Sequence, residues 1–390
     1  MIEARRGYVI LKNMKHKFLL GLLALAALPG AVSRGENITA AASMLVSGAT
    51  DHSTQFVSAH DSKIIYEGRF ATEQSGAVQL AFPGVTAHLR FRGPALTVWL
   101  NAAEENLYFD VSIDGAAPTP LPLRKGEGSY TLLAGTTVAE HTVALIRRNE
   151  SWHGMVTLTG FDPGPGGELL AAPALPPRKL LFIGDSVTCG EMAAYEPGRD
   201  MKDHLNWGPR VTYGMVVARR FGAQCHLVSC GGRGLVRDWQ GVRSGINAPQ
   251  FYELALPDVP AARWDHSQYV PDAIGIELGQ NDFSQGVPDQ IDYVNAYVQF
   301  IEKLRRDAPQ AVIFLMQSAM QNDGDPVGDP RRAALLAYLT QVVARCHTPK
   351  VLLAPVRHYP GVPGNTHPTG AEHAAMADEL EPLFRRALGW

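Results

Sequence analysis

The chain has 390 residues, which is more than a single domain of ordinary size needs, so we expect two domains. Apolar residues make up 46% of the chain and charged residues 19%, a composition that can fill two hydrophobic cores. The formal net charge of -3 excludes the strongly basic balance that is typical of proteins that bind nucleic acids or anionic membranes. We therefore expect no nucleic-acid partner.

Residues 1–33 are predicted to be a signal peptide with an extension before Met14. Lys15 and Lys17 precede an apolar run over residues 18–28, and small residues then form a cleavage region. The run is short for a bilayer span, and an uncleaved membrane anchor is the alternative. We expect a secreted or periplasmic protein with no stable membrane insertion after cleavage.

The region from residue 50 to residue 165 has the pattern of a β-sandwich. Apolar and polar residues alternate along Leu107–Ile113, as in a half-buried strand, and Asp114-Gly115 then marks a turn. Similar short runs with turn signals between them fill the rest of the region. The Gly- and Pro-rich stretch at residues 166–177 is predicted to be a linker.

Residues 178–390 alternate between strand patterns and helix patterns. Short apolar runs predict five strands: Lys179–Ile183, Cys225–Val228, Ala273–Leu278, Ala311–Met316 and Val351–Ala354. Helical periodicity lies between them, for example over Tyr293–Leu304 and Arg332–Val343. This alternation favours an α/β domain with a parallel sheet and helices on both of its faces.

Four candidate functional residues follow the ends of these strands. Ser186 follows the first strand, Gly232 the second, Asn281 the third and His367 the last. Because ligands bind beyond the carboxyl ends of parallel strands, we expect the four residues to lie at one edge of the sheet. Each residue alone has an ordinary structural alternative, such as a turn or a helix cap.

Together the four residues have the functional groups that acyl transfer needs. Ser186 is the predicted nucleophile and His367 its general base. The backbone N–H groups of Ser186 and Gly232 and the side-chain amide of Asn281 are predicted to form the oxyanion hole. This chemistry needs no metal ion and no cofactor, so we expect neither.

These positions resemble the four sequence blocks of the SGNH hydrolases. Phe182–Gly190 (FIGDSVTCG), Pro271–Ser284 (PDAIGIELGQNDFS), Arg147–Gly154 (RRNESWHG) and the C-terminal Leu388–Trp390 are similar to carbohydrate esterase family two. The resemblance covers nearly all of the chain after the signal peptide. It implies a jelly-roll sandwich followed by an SGNH hydrolase domain, and an esterase that removes O-acetyl groups from plant-type polysaccharides. We expect the protein to be a monomer.

One position departs from the pattern of many SGNH enzymes, which have an aspartate three residues before the histidine. That position is Gly364 here, so the chain is expected to use a Ser-His dyad. Asn365 or a backbone carbonyl is predicted to orient the imidazole of His367, and a carboxylate from elsewhere in the chain is left open. The other base candidate, His373, is expected to pack or to face solvent.

Three aromatic residues are candidates for stacking against a sugar ring. Trp264 and Phe283 flank the third strand of the α/β domain and are favoured over Trp239, with buried packing as the alternative. Asp185 and Asp282 are expected to hold the loops of the site by hydrogen bonds.

The four cysteines leave the disulfide pairing open. An oxidising compartment would permit three full pairings of Cys189, Cys225, Cys230 and Cys346. A bond between Cys189 and Cys230 is one hypothesis, because both residues lie near the predicted site.

Two other functions fit parts of the sequence. A broader esterase, lipase or thioesterase is disfavoured, because a sandwich before the catalytic domain suits contact with glycans better than contact with lipids. A carbohydrate-binding protein with a silent esterase domain is disfavoured, because the serine, glycine, asparagine and histidine are all present.

Overall fold

A computed structural model of the protein describes residues 55–135, 137–322 and 328–390. The predicted signal peptide lies outside the described residues. Among the residues described, no helix combines the length and the apolar character needed to cross a membrane.

The N-terminal half of the described chain folds into two antiparallel sheets, as the alternating sequence pattern predicts. The strands are β1 Val57–Ser58, β2 Ile65–Glu67, β3 Ala71–Thr72, β4 Val78–Leu80, β5 Thr86–Gly93, β6 Leu96–Ala102, β7 Leu107–Ile113, β8 Thr119–Leu123, β9 Gly126–Leu133, β10 Ala139–Arg147, β11 Val156–Asp162 and β12 Glu168–Leu170. One sheet has the order β3-β4-β11-β6-β9 with β1 paired to β11, and the other has the order β12-β5-β10-β7-β8 with β2 paired to β5.

Side chains that alternate along the strands form the core of this sandwich. In β5, Leu89 and Phe91 are fully buried while the arginines between and after them point outward. Each large apolar side chain buried in this way contributes about 1.5–3 kcal/mol to the free energy of unfolding. The predicted turn after β7 is confirmed, since Asp114 and Gly115 have φ values of 53° and 74°, which a tight hairpin needs.

The prediction of a linker over residues 166–177 is wrong for residues 168–170. Residues 168–170 form β12, which pairs with β5 and completes one of the sandwich sheets. Leu169 explains the difference, because its side chain is only 2% exposed and packs in the sandwich core. A Gly-rich turn precedes this strand, which made the whole segment resemble a linker in sequence.

The C-terminal half is the predicted α/β domain with one parallel sheet of order β14-β13-β15-β16-β17. Its strands are β13 Arg178–Gly184, β14 Ala223–Ser229, β15 Ala273–Glu277, β16 Val312–Met316 and β17 Val351–Ala354. Its helices are α1 Ser186–Cys189, α2 Tyr213–Arg220, α3 Ala248–Phe251, α4 Gln280–Phe283, α5 Gln290–Asp307, α6 Arg331–Arg345 and α7 Gly370–Leu388.

Helices cover both faces of the parallel sheet, which explains why its strands read as continuous apolar runs. In β13, Leu181 and Ile183 pack in the core that includes α5 and α6. The alternate residues Leu180 and Phe182 pack with α2 and α7 on the other face. The segments that leave the carboxyl end of the sheet, including the short helices α1 and α4, carry the predicted functional residues.

The segment after β10 makes hydrogen bonds between the sandwich and the α/β domain. Arg148 is buried, pairs with Asp110 of β7 at 2.5 Å, and donates to the carbonyls of Leu205 and Trp207 at 2.7 Å each. Asn149 donates to the carbonyl of His204 at 3.3 Å. The next two residues, Glu150 and Ser151, contact Gly231 and Cys230, so this segment lies against the carboxyl end of the sheet.

Candidate active site

Ser186 is the first residue of α1, directly after the turn that follows β13, and it borders a cavity of about 690 Å³. Asp185 caps the short helix, since its carboxylate accepts the N–H of Val187 at 3.1 Å. The buried strand before the turn fixes the position of the serine, because its apolar side chains are packed on both faces. Ser186 is 6% exposed, so its hydroxyl reaches the cavity while most of the residue is buried.

The imidazole of His367 lies between Ser186 and Asn365. Its Nε2 atom is 2.8 Å from Oγ of Ser186, and its Nδ1 atom is 2.7 Å from Oδ1 of Asn365. The same Asn365 oxygen accepts the backbone N–H of His367 at 3.1 Å. An oxygen acceptor at Nδ1 favours the tautomer with the proton on Nδ1, which leaves the Nε2 lone pair to accept the serine proton.

The environment of His367 keeps the imidazole neutral. Burial lowers the pKa of His367 to about 4, because the surrounding protein disfavours the charged ring. A neutral ring at neutral pH is the form that can accept a proton. His373, the other base candidate, is fully buried in α7 and accepts the N–H of Tyr213 at 3.3 Å, so it packs in the core.

Gly364, the position of the usual aspartate, has a φ of 94°, a conformation that favours glycine. A Cβ atom there would also come within 3.3 Å of the sulfur of Met201. The local backbone therefore disfavours an acidic residue at this position, and Asn365 is the neighbouring side chain that contacts Nδ1.

Two backbone N–H groups and one amide border the cavity beside Ser186. In the described part of the chain, the N–H groups of Ser186 and Gly232 donate no hydrogen bond. Nδ2 of Asn281 donates to Oδ2 of Asp185 at 3.1 Å and to the carbonyl of Arg233 at 2.9 Å. The amide is thus held rigidly at the cavity wall, and it must share one of these hydrogens with any oxyanion that it binds.

Gly232 has a φ of 73°, so a larger residue would be strained there. A Cβ atom would also lie 2.9 Å from Cδ1 of Trp239, whose ring covers the turn. Trp239 donates its backbone N–H to the carbonyl of Gly232 at 3.0 Å, which closes the loop around the glycine.

A carboxylate from the sandwich accepts a hydrogen bond from this turn. Glu150 is fully buried, and its Oε2 accepts the N–H of Gly231 at 2.6 Å while its Oε1 accepts Nε1–H of Trp207 at 2.9 Å. Burial raises the pKa of Glu150, and the two N–H donors oppose that shift. The sandwich therefore contributes directly to the geometry of the predicted oxyanion turn.

Asp282 holds the other end of the same loop. Its carboxylate accepts the N–H groups of Leu235, Val236 and Arg237 at 2.8, 2.8 and 3.2 Å. Both Asp185 and Asp282 therefore have the structural roles expected from the sequence.

The aromatic residues that border the cavity differ from those favoured by the sequence. Trp152 and Trp239 border it and are 58% and 55% exposed. Phe283 is fully buried against Tyr293, since the short helix α4 turns its ring toward the core. Trp264 lies beside Arg69 at the junction with the sandwich, 5.3 Å from the guanidinium to the ring centre. Neither Trp264 nor Phe283 borders the cavity of Ser186, which favours the alternative of packing that the sequence left open.

All four cysteines lie among the described residues and are free thiols. Cys189 donates to Oγ of Ser229 at 3.3 Å, and Cys230 accepts from Oγ of Ser151 at 3.7 Å. The structure therefore does not contain the hypothesised bond between Cys189 and Cys230.

One group of side chains in the described residues has spacing suited to a metal ion: Glu253, His266 and Asp307. The ammonium of Lys303 pairs with Glu253 and lies 3.8 Å from Asp307. A positive charge of the protein thus already neutralises this group, which lies outside the cavity of Ser186.

Sequence reasoning missed Glu191, which borders the cavity next to the dyad. Its Oε2 is 3.3 Å from Nε2 of His367, and its Oε1 accepts Nδ2–H of Asn365 at 3.4 Å. Burial raises the pKa of Glu191 to about 7, and the nearby Glu150 adds to that shift. The only sequence feature that could have indicated Glu191 is its position five residues after Ser186.

Replacing Glu150 with glutamine tests whether the sandwich supports the oxyanion turn. Both carboxylate oxygens accept N–H groups, so the NH₂ of glutamine would face one donor and leave it unpaired, at a cost of about 1–3 kcal/mol. We expect a lower midpoint of thermal unfolding and at least a tenfold lower kcat for p-nitrophenyl acetate, since small displacements of catalytic groups are costly.

The matched control is Glu104→Gln, which changes an exposed carboxylate of the same domain that pairs with Lys125. It should leave both measurements unchanged. A native kcat in Glu150→Gln would contradict the supporting role.

Two family sequence models match the chain. The model of the family described as carbohydrate esterase 2 N-terminal matches residues 66–173, and that of the GDSL-like lipase/acylhydrolase family matches residues 182–382.

Individual relatives agree with these matches. An acetylxylan esterase / glucomannan deacetylase of Cellvibrio japonicus is 39% identical over 87% of this chain and 92% of its own length. The structure of a family two carbohydrate esterase from Cellvibrio japonicus is 37% identical, covers 89% of this chain and 99% of its own, and superposes with a TM-score of 0.81. A family two carbohydrate esterase from Clostridium thermocellum, solved in complex with cellohexaose, is 31% identical, covers 84% and 99%, and has a TM-score of 0.75.

These matches extend over both domains and agree with the expected fold. The protein is a carboxylic ester hydrolase, and it belongs to carbohydrate esterase family two, whose SGNH domain follows an N-terminal sandwich.

Proposed function

We propose that the protein removes O-acetyl groups from plant-type polysaccharides through a Ser186–His367 dyad and a covalent acyl-enzyme. The observation that carries this proposal is the distance of 2.8 Å between Oγ of Ser186 and Nε2 of a neutral His367. Two N–H groups without partners in the described chain border the same cavity, as an oxyanion hole requires.

In the proposed acylation step, Oγ of Ser186 attacks the acetyl carbonyl carbon as its proton moves to Nε2 of His367. The C=O electron pair moves to the oxygen, which receives hydrogen bonds from the N–H groups of Ser186 and Gly232 and from the amide of Asn281. The tetrahedral intermediate then collapses, the bond to the sugar oxygen breaks, and His367 returns the proton to that oxygen.

In the proposed deacylation step, a water molecule takes the place of the sugar. His367 accepts its proton, the hydroxide attacks the acyl carbon, and the bond to Oγ of Ser186 breaks with return of the proton to the serine. Acetate leaves, and the dyad is restored to its starting protonation state.

The cavity suits a small acyl group on a polar carrier. The exposed rings of Trp152 and Trp239 lie on its border, where they can stack against sugar rings. Arg233, Asp238 and Asp258 also border it and can bind hydroxyl groups. These polar walls disfavour a long acyl chain, which supports an acetyl esterase over a lipase. The relatives named as acetylxylan esterase and glucomannan deacetylase support the same substrate class.

The proposed place of action is outside the cytoplasm, because plant polysaccharides are too large to enter the cell. We further propose that one chain forms the active unit, since the dyad, the oxyanion donors and the two tryptophans all come from the same chain.

Acetate release from acetylated polysaccharides tests this function most directly. Acetylated xylan, glucomannan and pectin would be incubated with the native protein and with Ser186→Ala, and free acetate would be measured. We expect release from at least xylan or glucomannan, and a loss of about four orders of magnitude or more in Ser186→Ala. Release by a folded Ser186→Ala variant would contradict the nucleophile. Hydrolysis of p-nitrophenyl octanoate faster than of the acetate would favour a lipase.

Replacing Asn365 with alanine tests the proposed orientation of the dyad. The change removes the acceptor at Nδ1 of His367, so the ring loses both its preferred tautomer and its fixed position. We expect kcat for p-nitrophenyl acetate to fall about 10- to 100-fold with a native thermal midpoint. Asn365→Asp, which keeps an acceptor at Nδ1, should retain more activity than the alanine variant. Native kcat in Asn365→Ala would exclude this role.

A further inference from the structure

The carboxylate of Glu191 lies on the side of His367 opposite to the usual triad acid. Its Oε2 is 3.3 Å from Nε2 of His367, the same atom that lies 2.8 Å from Oγ of Ser186. The backbone fixes this position, because the N–H of Glu191 donates to the carbonyl of Ser186 at 3.1 Å. Within the described chain, the only basic group that pairs with Glu191 is His367.

The proposed reaction makes a positive charge on His367 in a site that disfavours it. Burial lowers the pKa of His367 to about 4, so the imidazolium is unfavourable at the pH where the esterase must work. In SGNH enzymes with an aspartate near the histidine, that acid stabilises the charge from Nδ1. Here Nδ1 contacts the neutral amide of Asn365. A negative charge must come from elsewhere if the ring is to be stabilised electrostatically.

We propose that ionised Glu191 stabilises the imidazolium of His367 in the transition states and thereby replaces the missing triad acid from the Nε2 side. This inference rests on the proposed dyad. Once Nε2 has taken the proton from Oγ of Ser186, the N–H can be shared between the leaving oxygen and Oε2 of Glu191. Glu191 takes no proton in the net reaction, so the proton still passes from the serine to the leaving sugar oxygen.

The same geometry makes the protonation of Glu191 an obstacle to the reaction. The Nε2 lone pair can accept one proton, and a protonated Glu191 would compete for it with the hydroxyl of Ser186. If the proton sits on His367 instead, the base is already occupied, so both arrangements of a protonated pair are inactive.

The titratable groups that face Glu191 are His367 and, from the sandwich, Glu150. Burial and the charge of Glu150 raise the pKa of Glu191 to about 7. Activity should therefore rise with pH through about 7, as the pair loses its proton. The imidazole itself is expected to limit activity only near pH 4.

The test is the pH profile of kcat/KM for p-nitrophenyl acetate between pH 5 and pH 9, for the native protein and for Glu191→Gln. Glutamine keeps the size of the side chain but removes its charge. We expect the native profile to rise through about pH 7 and the Glu191→Gln profile to lack that rise. At pH 8 the variant should be about tenfold slower in kcat, with little change in KM.

Two further variants keep the test informative. Glu191→Asp retains the charge and should restore part of the rate and the rise near pH 7, even if Glu191→Gln folds poorly. Glu196→Gln changes an exposed carboxylate of the same loop that pairs with Arg199, and it should behave as the native protein does.

A rise near pH 7 that persists in Glu191→Gln, or a native rate at pH 8, overturns the role of Glu191. Ser186→Ala and His367→Ala separate this outcome from failure of the dyad itself. If both of these are inactive while Glu191→Gln is native, only the inference on Glu191 fails. If either retains the native rate, the proposed function fails first.

Discussion

Two buried carboxylates hold the loop that carries Gly232, and the rest of the site depends on their hydrogen bonds. Glu150 accepts the N–H just before the glycine, and Asp282 accepts three N–H groups a few residues after it. Burying a carboxylate costs free energy unless its oxygens accept hydrogen bonds. The two acids therefore favour the one loop conformation in which the backbone N–H groups reach their oxygens. Because Ser151 and Trp152 of the sandwich also border the cavity of Ser186, the two domains form this cavity together.

Burial shifts the pKa values of His367 and Glu191 in opposite directions, because in each case it disfavours the charged form. It lowers the pKa of the imidazole and raises that of Glu191. Above about pH 7 the resting site holds a neutral His367 beside an ionised Glu191, and the proposed reaction creates an imidazolium and an oxyanion at once. In the proposed mechanism, the backbone N–H groups of Ser186 and Gly232 face the oxyanion, and Glu191 faces the imidazolium. This arrangement would explain how a serine esterase can work without an aspartate at Gly364.

The sequence predicted the features that depend on local periodicity and chain order. The five parallel strands and the placement of Ser186 and His367 at their carboxyl ends follow from apolar runs and the topology of such sheets. The directions of the side chains could not be predicted from these patterns. Phe283 flanks the same edge in sequence but points into the core, while Trp152 reaches the cavity from the other domain. Glu150 lies about 80 residues before Gly231 along the chain, so only the tertiary fold brings the two together.

The proposed mechanism depends on Ser186 as a nucleophile that is activated by His367. An organophosphate ester such as diethyl p-nitrophenyl phosphate forms a stable adduct with an activated serine, and peptide mass spectrometry locates it. We predict one diethylphosphoryl group per chain, on the peptide that contains Ser186, together with full loss of esterase activity, and no adduct in His367→Ala. Inhibition with the adduct on another residue, or labelling of Ser186 that is unaffected in His367→Ala, would contradict the account.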